Sequence, residues 1–204
     1  MHKRTLWLTA LVLMTAVVAM GGCAKPPDAE VEAARQALAS ADTAQASTWA
    51  PEAHQEAQAA MDAVQTEINA QAEKFALSRS YDEAKRLVAE AQAKAEAAQQ
   101  AAIEGKDAAR NAAQEALASG RATLDQAAAL LTEVEACKRR PKGFETDLAA
   151  LRATLEGLEA QHAEAQAAFD GGDYQQAQAG AEAVQYAAGT LVTDLESAKT
   201  KLRC

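Results

Sequence analysis

The chain has 204 residues, with 20 basic and 29 acidic side chains, a net charge of −9 and only 4% aromatic residues. Because nucleic acids and anionic lipid surfaces attract proteins through a basic surface that displaces counterions, this acidic balance excludes nucleic-acid binding and general adhesion to membranes. The many alanine, glutamate and glutamine residues favour helix, and the four prolines leave long tracts uninterrupted, so the composition predicts an all-α protein.

The N-terminus is predicted to be a signal peptide. Lys3 and Arg4 precede an apolar run over residues 6–20, which is shorter than the roughly 20 residues that span a bilayer. Met20-Gly21-Gly22-Cys23 follows and resembles the lipobox of bacterial lipoproteins. This resemblance implies that residues 1–22 are cleaved and that Cys23 carries a diacylglycerol, with residues 23–28 as a lipidated tether. Plain secretion without lipid is the alternative.

Cleavage would remove two basic residues and no acid, which leaves a net charge near −11. Ala24 and Lys25 after Cys23, with no aspartate at the second position, resemble the outer-membrane sorting signal of enteric bacteria. The expected location is therefore the cell envelope, with the chain anchored by its lipid to the outer membrane and facing the periplasm.

Three apolar-periodic helices are predicted before residue 104. Pro51 is expected to open the second helix, and Ser80 with Glu83 is expected to form a capping box at the start of the third. The predicted buried positions of the three helices are, in turn, Val31, Ala34, Leu38 and Ala41; Ala57, Met61, Val64, Ile68, Ala72 and Phe75; and Tyr81, Ala84, Val88, Ala91, Ala95, Ala98 and Ala102.

Ala50-Pro51-Glu52, followed by Ala57 and then by Ser80-Tyr81-x-x-Ala84, resembles a family of alanine-rich bacterial lipoproteins known only as a domain of unknown function. In some members this domain precedes an OmpA-like peptidoglycan-binding module, which this chain lacks. The resemblance covers about residues 29–102, and Pro141-Lys142-Gly143-Phe144 departs from it in the second half. It implies an envelope location and helical form, and it implies no activity.

The second half repeats the pattern. Asp170-Gly171-Gly172 predicts a tight turn between two antiparallel helices, and Asp173 with Gln176 predicts a reciprocal cap. Tyr81-Asp82-Glu83-Ala84 and Tyr174-Gln175-Gln176-Ala177 suggest a duplicated hairpin. The predicted buried positions are Leu117, Leu124, Leu131 and Val134; Leu148, Leu151, Leu155, Leu158, His162, Ala165 and Phe169; and Tyr174, Ala177, Ala181, Val184, Ala188, Leu191, Leu195, Ala198 and Leu202.

No proline interrupts residues 80–136, so the third helix is expected to run into the fourth as one helix of about 85 Å. The predicted fold is all-α: elongated, tandem, antiparallel three-helix bundles of coiled-coil type that share a long central helix. The first bundle unit is expected to cover residues 29–104 and the second residues 105–204.

Two cysteines remain if Cys23 is lipidated. In an up-down-up bundle, Cys137 and Cys204 both lie at the end of an upward helix, so a disulfide between them is predicted in an oxidising compartment. Closing this loop would contribute roughly 4 kcal/mol in the chain-entropy model. Two free thiols are the alternative.

Four cations, Lys138, Arg139, Arg140 and Lys142, form a basic cluster in this acidic chain. They could simply oppose the negative end of a helix dipole, or they could contact a partner that carries carboxylates or phosphates. Peptidoglycan stem peptides and an acidic protein surface both fit the second interpretation.

Catalytic motifs are not apparent. Glu159 and His162 have the Glu-x-x-His spacing of di-iron bundles, but such sites need a second copy and two further glutamates, so His162 is interpreted as a core residue. No enzyme activity, cofactor or metal is expected.

The first functional hypothesis is a monomeric, membrane-tethered spacer or protein-interaction scaffold of the envelope, with an envelope protein or peptidoglycan as its partner. A binding module of tetratricopeptide type, suggested by residues 172–177, or a peptidoglycan-associated module is the alternative. A trimeric alanine-zipper lipoprotein linked covalently to the wall would need a C-terminal lysine, whereas this sequence ends in Leu202-Arg203-Cys204.

Overall fold

The computed structural model describes residues 25–203, and the predictions for the signal peptide, Cys23 and Cys204 fall outside that part of the chain. The described residues form helices and turns without any strand, which confirms the all-α prediction. The helices are α1 (Asp28–Thr43), α2 (Ala46–Trp49), α3 (Pro51–Ala72), α4 (Asp82–Glu135), α5 (Phe144–Asp170) and α6 (Tyr174–Leu202), with a 3₁₀ turn at Ala76–Ser78.

The chain divides into two compact units, with the division between Ile103 and Glu104. Helix α4 is continuous over 54 residues and contributes its first part to one unit and its second part to the other. The prediction that both bundles share a long helix is therefore confirmed. Among the described residues, no helix combines the length and the apolarity that a membrane crossing requires.

The first unit has a core of small residues. One cluster consists of alanines and lies between α1, α2, α3 and α4; a second adds three valines, Val31, Val64 and Val88. Since stabilisation by burial scales with apolar area, and alanine offers little, this core relies on close approach of the helices. The alanine cluster comprises Ala41, Ala46, Ala57, Ala95, Ala98 and Ala102.

The second unit has larger core residues. The second part of α4 packs with α5 and α6 around a leucine-rich cluster, in which Leu124, Leu148 and Leu195 are almost fully buried. Near the α5–α6 turn, Ala165 of α5 and Ala181 of α6 belong to one cluster with Leu117 of α4, as expected for an antiparallel pair of helices. The remaining members of the main cluster include Leu131, Val134, Phe144, Leu155, Leu158, Val184, Leu191 and Leu202.

Local sequence explains where the helices begin. Pro51 occupies the first turn of α3, as predicted, because its missing N–H would have no helical partner there. Gly143 has φ of +91° directly before α5, and Gly172 has φ of +84° before α6; residues with a side chain rarely adopt this conformation. The Asp173 carboxylate accepts a hydrogen bond from the Gln176 N–H at 3.1 Å and caps α6.

Three local predictions are wrong. Helix α4 begins at Asp82 rather than at Ser80, and Glu83 binds Arg86 instead of completing a capping box. The Gln176 side chain was expected to accept a hydrogen bond from the Asp173 N–H. Instead, this N–H donates to the Ala168 carbonyl at 2.9 Å.

The third error concerns the end of α3. Ala72 and Phe75 were expected in the core, but both are exposed. The helix stops at Ala72 because Arg79 folds back and donates to the carbonyl of Ala72 at 2.8 Å and to that of Lys74 at 2.9 Å. Side-chain donors thus replace the helical partners of these carbonyls.

Candidate functional site

The basic cluster lies in the turn between α4 and α5, residues 136–143, at the end of the second unit where α4 and α6 finish. The two helix ends are brought together by the ion pair between Lys199 of α6 and Glu133 of α4 and by the packing of Leu202 against the core. Since two carboxyl ends of helices meet here, their partial negative charges add up, and cations are favourable in this region.

Arg140 has a structural role in this turn. Its guanidinium pairs with Glu145, donates to the Glu135 carbonyl at 3.1 Å and lies 5.5 Å from the centre of the Phe144 ring. These contacts join the end of α4 to the first turn of α5. Arg140 therefore satisfies backbone and side-chain acceptors of its own unit.

Other cations of this region remain available. Lys138, Arg139, Lys142, Lys201 and Arg203 are exposed, and none of them forms an ion pair with a carboxylate within residues 25–203. Lys201 and Arg203 were not included in the sequence prediction. Their closeness to the cluster follows from the up-down-up topology, in which α4 and α6 run in the same direction and end side by side. This topology was the signal that could have identified them.

Two grooves open between these cations. The first has a volume of about 420 Å³, and the described residues that line it include three cations and no acid: Ala136, Cys137, Lys138, Arg139, Leu202 and Arg203. The second has a volume of about 310 Å³ and an apolar floor that includes Phe144 and Leu151; Lys142 and Lys201 face it together with Asp147 and Asp194. The first groove can accept an anionic group, and the second can hold a small apolar side chain beside it.

Cys137 is buried at the floor of the first groove and takes part in a disulfide bond. Its neighbours in the groove, Leu202 and Arg203, directly precede Cys204. Cys204 lies outside the described residues, so the pairing of Cys137 with Cys204 stays a prediction. The position of Cys137 beside the end of α6 agrees with it.

Each of the two histidines in the described part of the chain makes a polar contact with a neighbouring helix. His54 is buried in α3, and its Nε2 atom lies 2.6 Å from the Asp42 carboxylate at the end of α1. The Nε2 atom of half-buried His162 lies 2.9 Å from the carbonyl of Leu117, which ties α5 to α4. Within residues 25–203, no three histidine, cysteine, aspartate or glutamate side chains are grouped so that they could hold a metal ion.

Glu83 and Arg86 form an ion pair that is far from the basic turn in sequence. Arg86 donates two hydrogen bonds to Glu83, at 2.6 and 3.0 Å, and these bonds hold the pKa of the Glu83 carboxyl below its ordinary value. Both side chains are exposed on the surface of α4. The pair therefore supports the first turn of a helix and gives no indication of catalysis.

Comparison of the chain with protein-family models, curated proteins and solved structures found no match. The resemblance to the alanine-rich lipoprotein family described above therefore stays a prediction.

Proposed function

We propose that this protein is a lipid-anchored scaffold of the bacterial envelope, which binds an acidic surface of a neighbouring protein through the basic end of its second unit. The observation that carries this proposal is the groove lined by Lys138, Arg139 and Arg203, three cations that lack carboxylate partners within the described chain. The anchor is proposed from the lipobox-like sequence at Cys23.

Electrostatic complementarity supports this choice of surface. In a chain with a net charge of −9, five exposed cations at one end of a bundle create a local region of opposite sign. Such a region attracts an acidic partner and orients it during encounter, whereas the acidic surfaces elsewhere on the same protein repel that partner. The adjoining apolar groove beside Phe144 and Leu151 offers a site for an anchoring side chain at the centre of the contact.

The tetratricopeptide alternative is less compatible with the helix lengths. That repeat places two helices within about 34 residues, whereas α5 and α6 have 27 and 29 residues and form one long hairpin. A peptidoglycan-associated module remains the second candidate, since stem peptides also present carboxylates to cations.

Photo-crosslinking in living cells would test the proposal. A crosslinking amino acid is placed at Arg139 in the groove or, as a control, at Tyr186, which is 82% exposed on α6 outside both grooves. We expect a defined protein to be captured from Arg139 and not from Tyr186, and we expect K138E/R139E to abolish the capture.

The captured protein should then bind the purified chain with an affinity that falls as salt is added, since screening weakens contacts between exposed charges. Equal capture from both positions, or capture that persists in K138E/R139E, would contradict the proposed surface. Isolation of muropeptides in place of a protein would favour the peptidoglycan alternative.

A further inference from the structure

The turn between α3 and α4, residues 73–81, exposes two large apolar side chains. Phe75 is 75% exposed and Leu77 is 82% exposed, and they are separated by one residue. In the first unit, the only other large apolar side chain with comparable solvent contact is Ile103, at 46%, among the described residues. A pair of exposed apolar side chains on one turn marks a surface that is suited to a partner or to a membrane.

The turn is well defined by its own hydrogen bonds. The Ser78 hydroxyl donates to the Phe75 carbonyl at 2.8 Å, and Arg79 donates to the carbonyls of Ala72 and Lys74. Near the end of the turn, the Ser80 N–H donates to the Gln71 side chain at 3.2 Å. Because these polar groups are paired within the protein, the turn can enter a less polar environment at a reduced cost of desolvation.

The register of the helices places this turn at one end of the first unit. Near the other end, Ala41 of α1 shares a cluster with Ala57 of α3, whereas Val31 of α1 shares a cluster with Val64 and, further along α3, with Ile68. Moving towards the start of α1 thus means moving towards the end of α3. The turn after α3 consequently lies at the end of the unit where α1 begins.

The start of α1 is also where the proposed anchor attaches. Asp28 follows Cys23 by five residues, and five residues span at most about 18 Å when fully extended. A lipid on Cys23 would therefore hold this end of the unit close to the headgroups, within reach of a turn that projects from it.

We propose that Phe75 and Leu77 insert into the interfacial region of the bilayer that holds the lipid on Cys23, and so fix the orientation of the first unit on the membrane. The inference rests on the proposed lipidation. Exposed Lys25 and Lys74 lie at the same end, where they can approach the phosphates of the headgroups.

Two apolar side chains give weak binding to a membrane when they act alone. The tether changes this, because a short linker raises the effective concentration of the turn at the surface to the order of millimolar. A contact that is too weak to recruit a free protein is thus sufficient to orient an anchored one. The acidic net charge of the chain, which opposes general adhesion, is compatible with such a local contact.

Tryptophan fluorescence gives a direct test. Trp49 is the single tryptophan after the predicted cleavage site, and it is the last residue of α2, at the end of the unit opposite to the turn. The native lipidated protein and its Trp49→Phe/Leu77→Trp variant are reconstituted in vesicles of phosphatidylethanolamine and phosphatidylglycerol that contain brominated lipid. We expect severalfold stronger bromine quenching of the indole introduced by Leu77→Trp than of Trp49.

A second variant, Phe75→Ser added to Trp49→Phe/Leu77→Trp, should reduce this quenching, because it removes half of the inserting pair while leaving the exposed turn otherwise intact. Equal quenching at both positions, or no quenching at position 77 in a protein with intact lipid, would overturn the inference alone. Mass analysis that finds Cys23 without lipid would overturn the proposed function, and this inference with it.

Discussion

Two glycines in the second unit make a matched pair for testing how closely its helices pack. A Cβ atom at Gly189, within α6, would have no neighbour within 4 Å, so Gly189→Ala should only gain helix propensity, about 1 kcal/mol. A Cβ atom at Gly120, within α4, would lie 3.2 Å from the Ala181 carbonyl oxygen and 3.4 Å from Cδ2 of His162. The Ala181 oxygen belongs to the backbone of another helix, so it cannot move away as a flexible side chain could.

For Gly120→Ala, the same gain in propensity is opposed by overpacking, which typically costs about 1 to 3 kcal/mol. We therefore expect Gly189→Ala to raise the free energy of unfolding and Gly120→Ala to leave it unchanged or to lower it, with a difference between the variants of about 1 to 3 kcal/mol. Urea unfolding of both variants, followed by circular dichroism, measures this difference. If Gly120→Ala stabilised the protein as much as Gly189→Ala, the close approach of α4 to α6 would be refuted.

Three further predictions concern burial, capping and charge. Leu195→Ala should lower the free energy of unfolding by about 3 kcal/mol in urea titrations, because the side chain is fully buried; a loss typical of a surface site would contradict this. Asp173→Ala should cost about 1 kcal/mol in the same assay, whereas Asp173→Asn, which retains an acceptor for the Gln176 N–H, should cost less. The NMR titration midpoint of Glu83 should lie below that of an ordinary glutamate and return towards it in Arg86→Gln. Since the folded-state pKa is the lower one, the small stabilising effect of this pair is present at neutral pH and is lost as the pH falls through that pKa.

The cores could be predicted from sequence because the helical spacing of the apolar residues agrees with the high helix propensity of the residues along most of the chain. Every buried position that was predicted from Tyr81, directly before α4, to Ala102 is buried, and so are Leu117, Leu124, Leu131 and Val134 further along α4. In such tracts the spacing of apolar residues alone fixes the buried face, since no glycine cluster or proline competes with the helix. The continuity of α4 follows from the same absence of breaks.

The errors occur where side chains compete with the helix for backbone groups. The spacing from Ala72 to Phe75 continues the helical period. However, Arg79, seven residues after Ala72, donates a hydrogen bond to the Ala72 carbonyl, and the helix ends there. Ser80 was expected to cap α4 through Glu83; instead its N–H pairs with Gln71 of the preceding helix. Contacts of this kind depend on the path of the chain through the turn, which a local sequence pattern does not specify.

The candidate surfaces differ in how far the sequence could identify them. Lys138 and Arg139 were visible as part of a charge run, whereas Arg203 joins them only because α4 and α6 end side by side. The exposed pair in the α3–α4 turn, Phe75 and Leu77, was not predicted, because Phe75 was expected to lie in the core. Its exposure became evident only when the end of α3 was located.

Both proposed contacts lie in turns, and the composition of the helices explains why. A three-helix bundle buries one narrow face of each helix. The other faces here carry mostly glutamate, glutamine, lysine and alanine, which recur along the surface and make one position much like the next. Specific recognition needs residues that differ from this background. In the described chain, such residues concentrate at the α3–α4 turn, which carries exposed Phe75 and Leu77, and at the α4–α5 turn, which carries Lys138 and Arg139. A scaffold built in this way can accept many substitutions on its helices without loss of binding, whereas substitutions in these two turns should alter membrane orientation and partner binding separately.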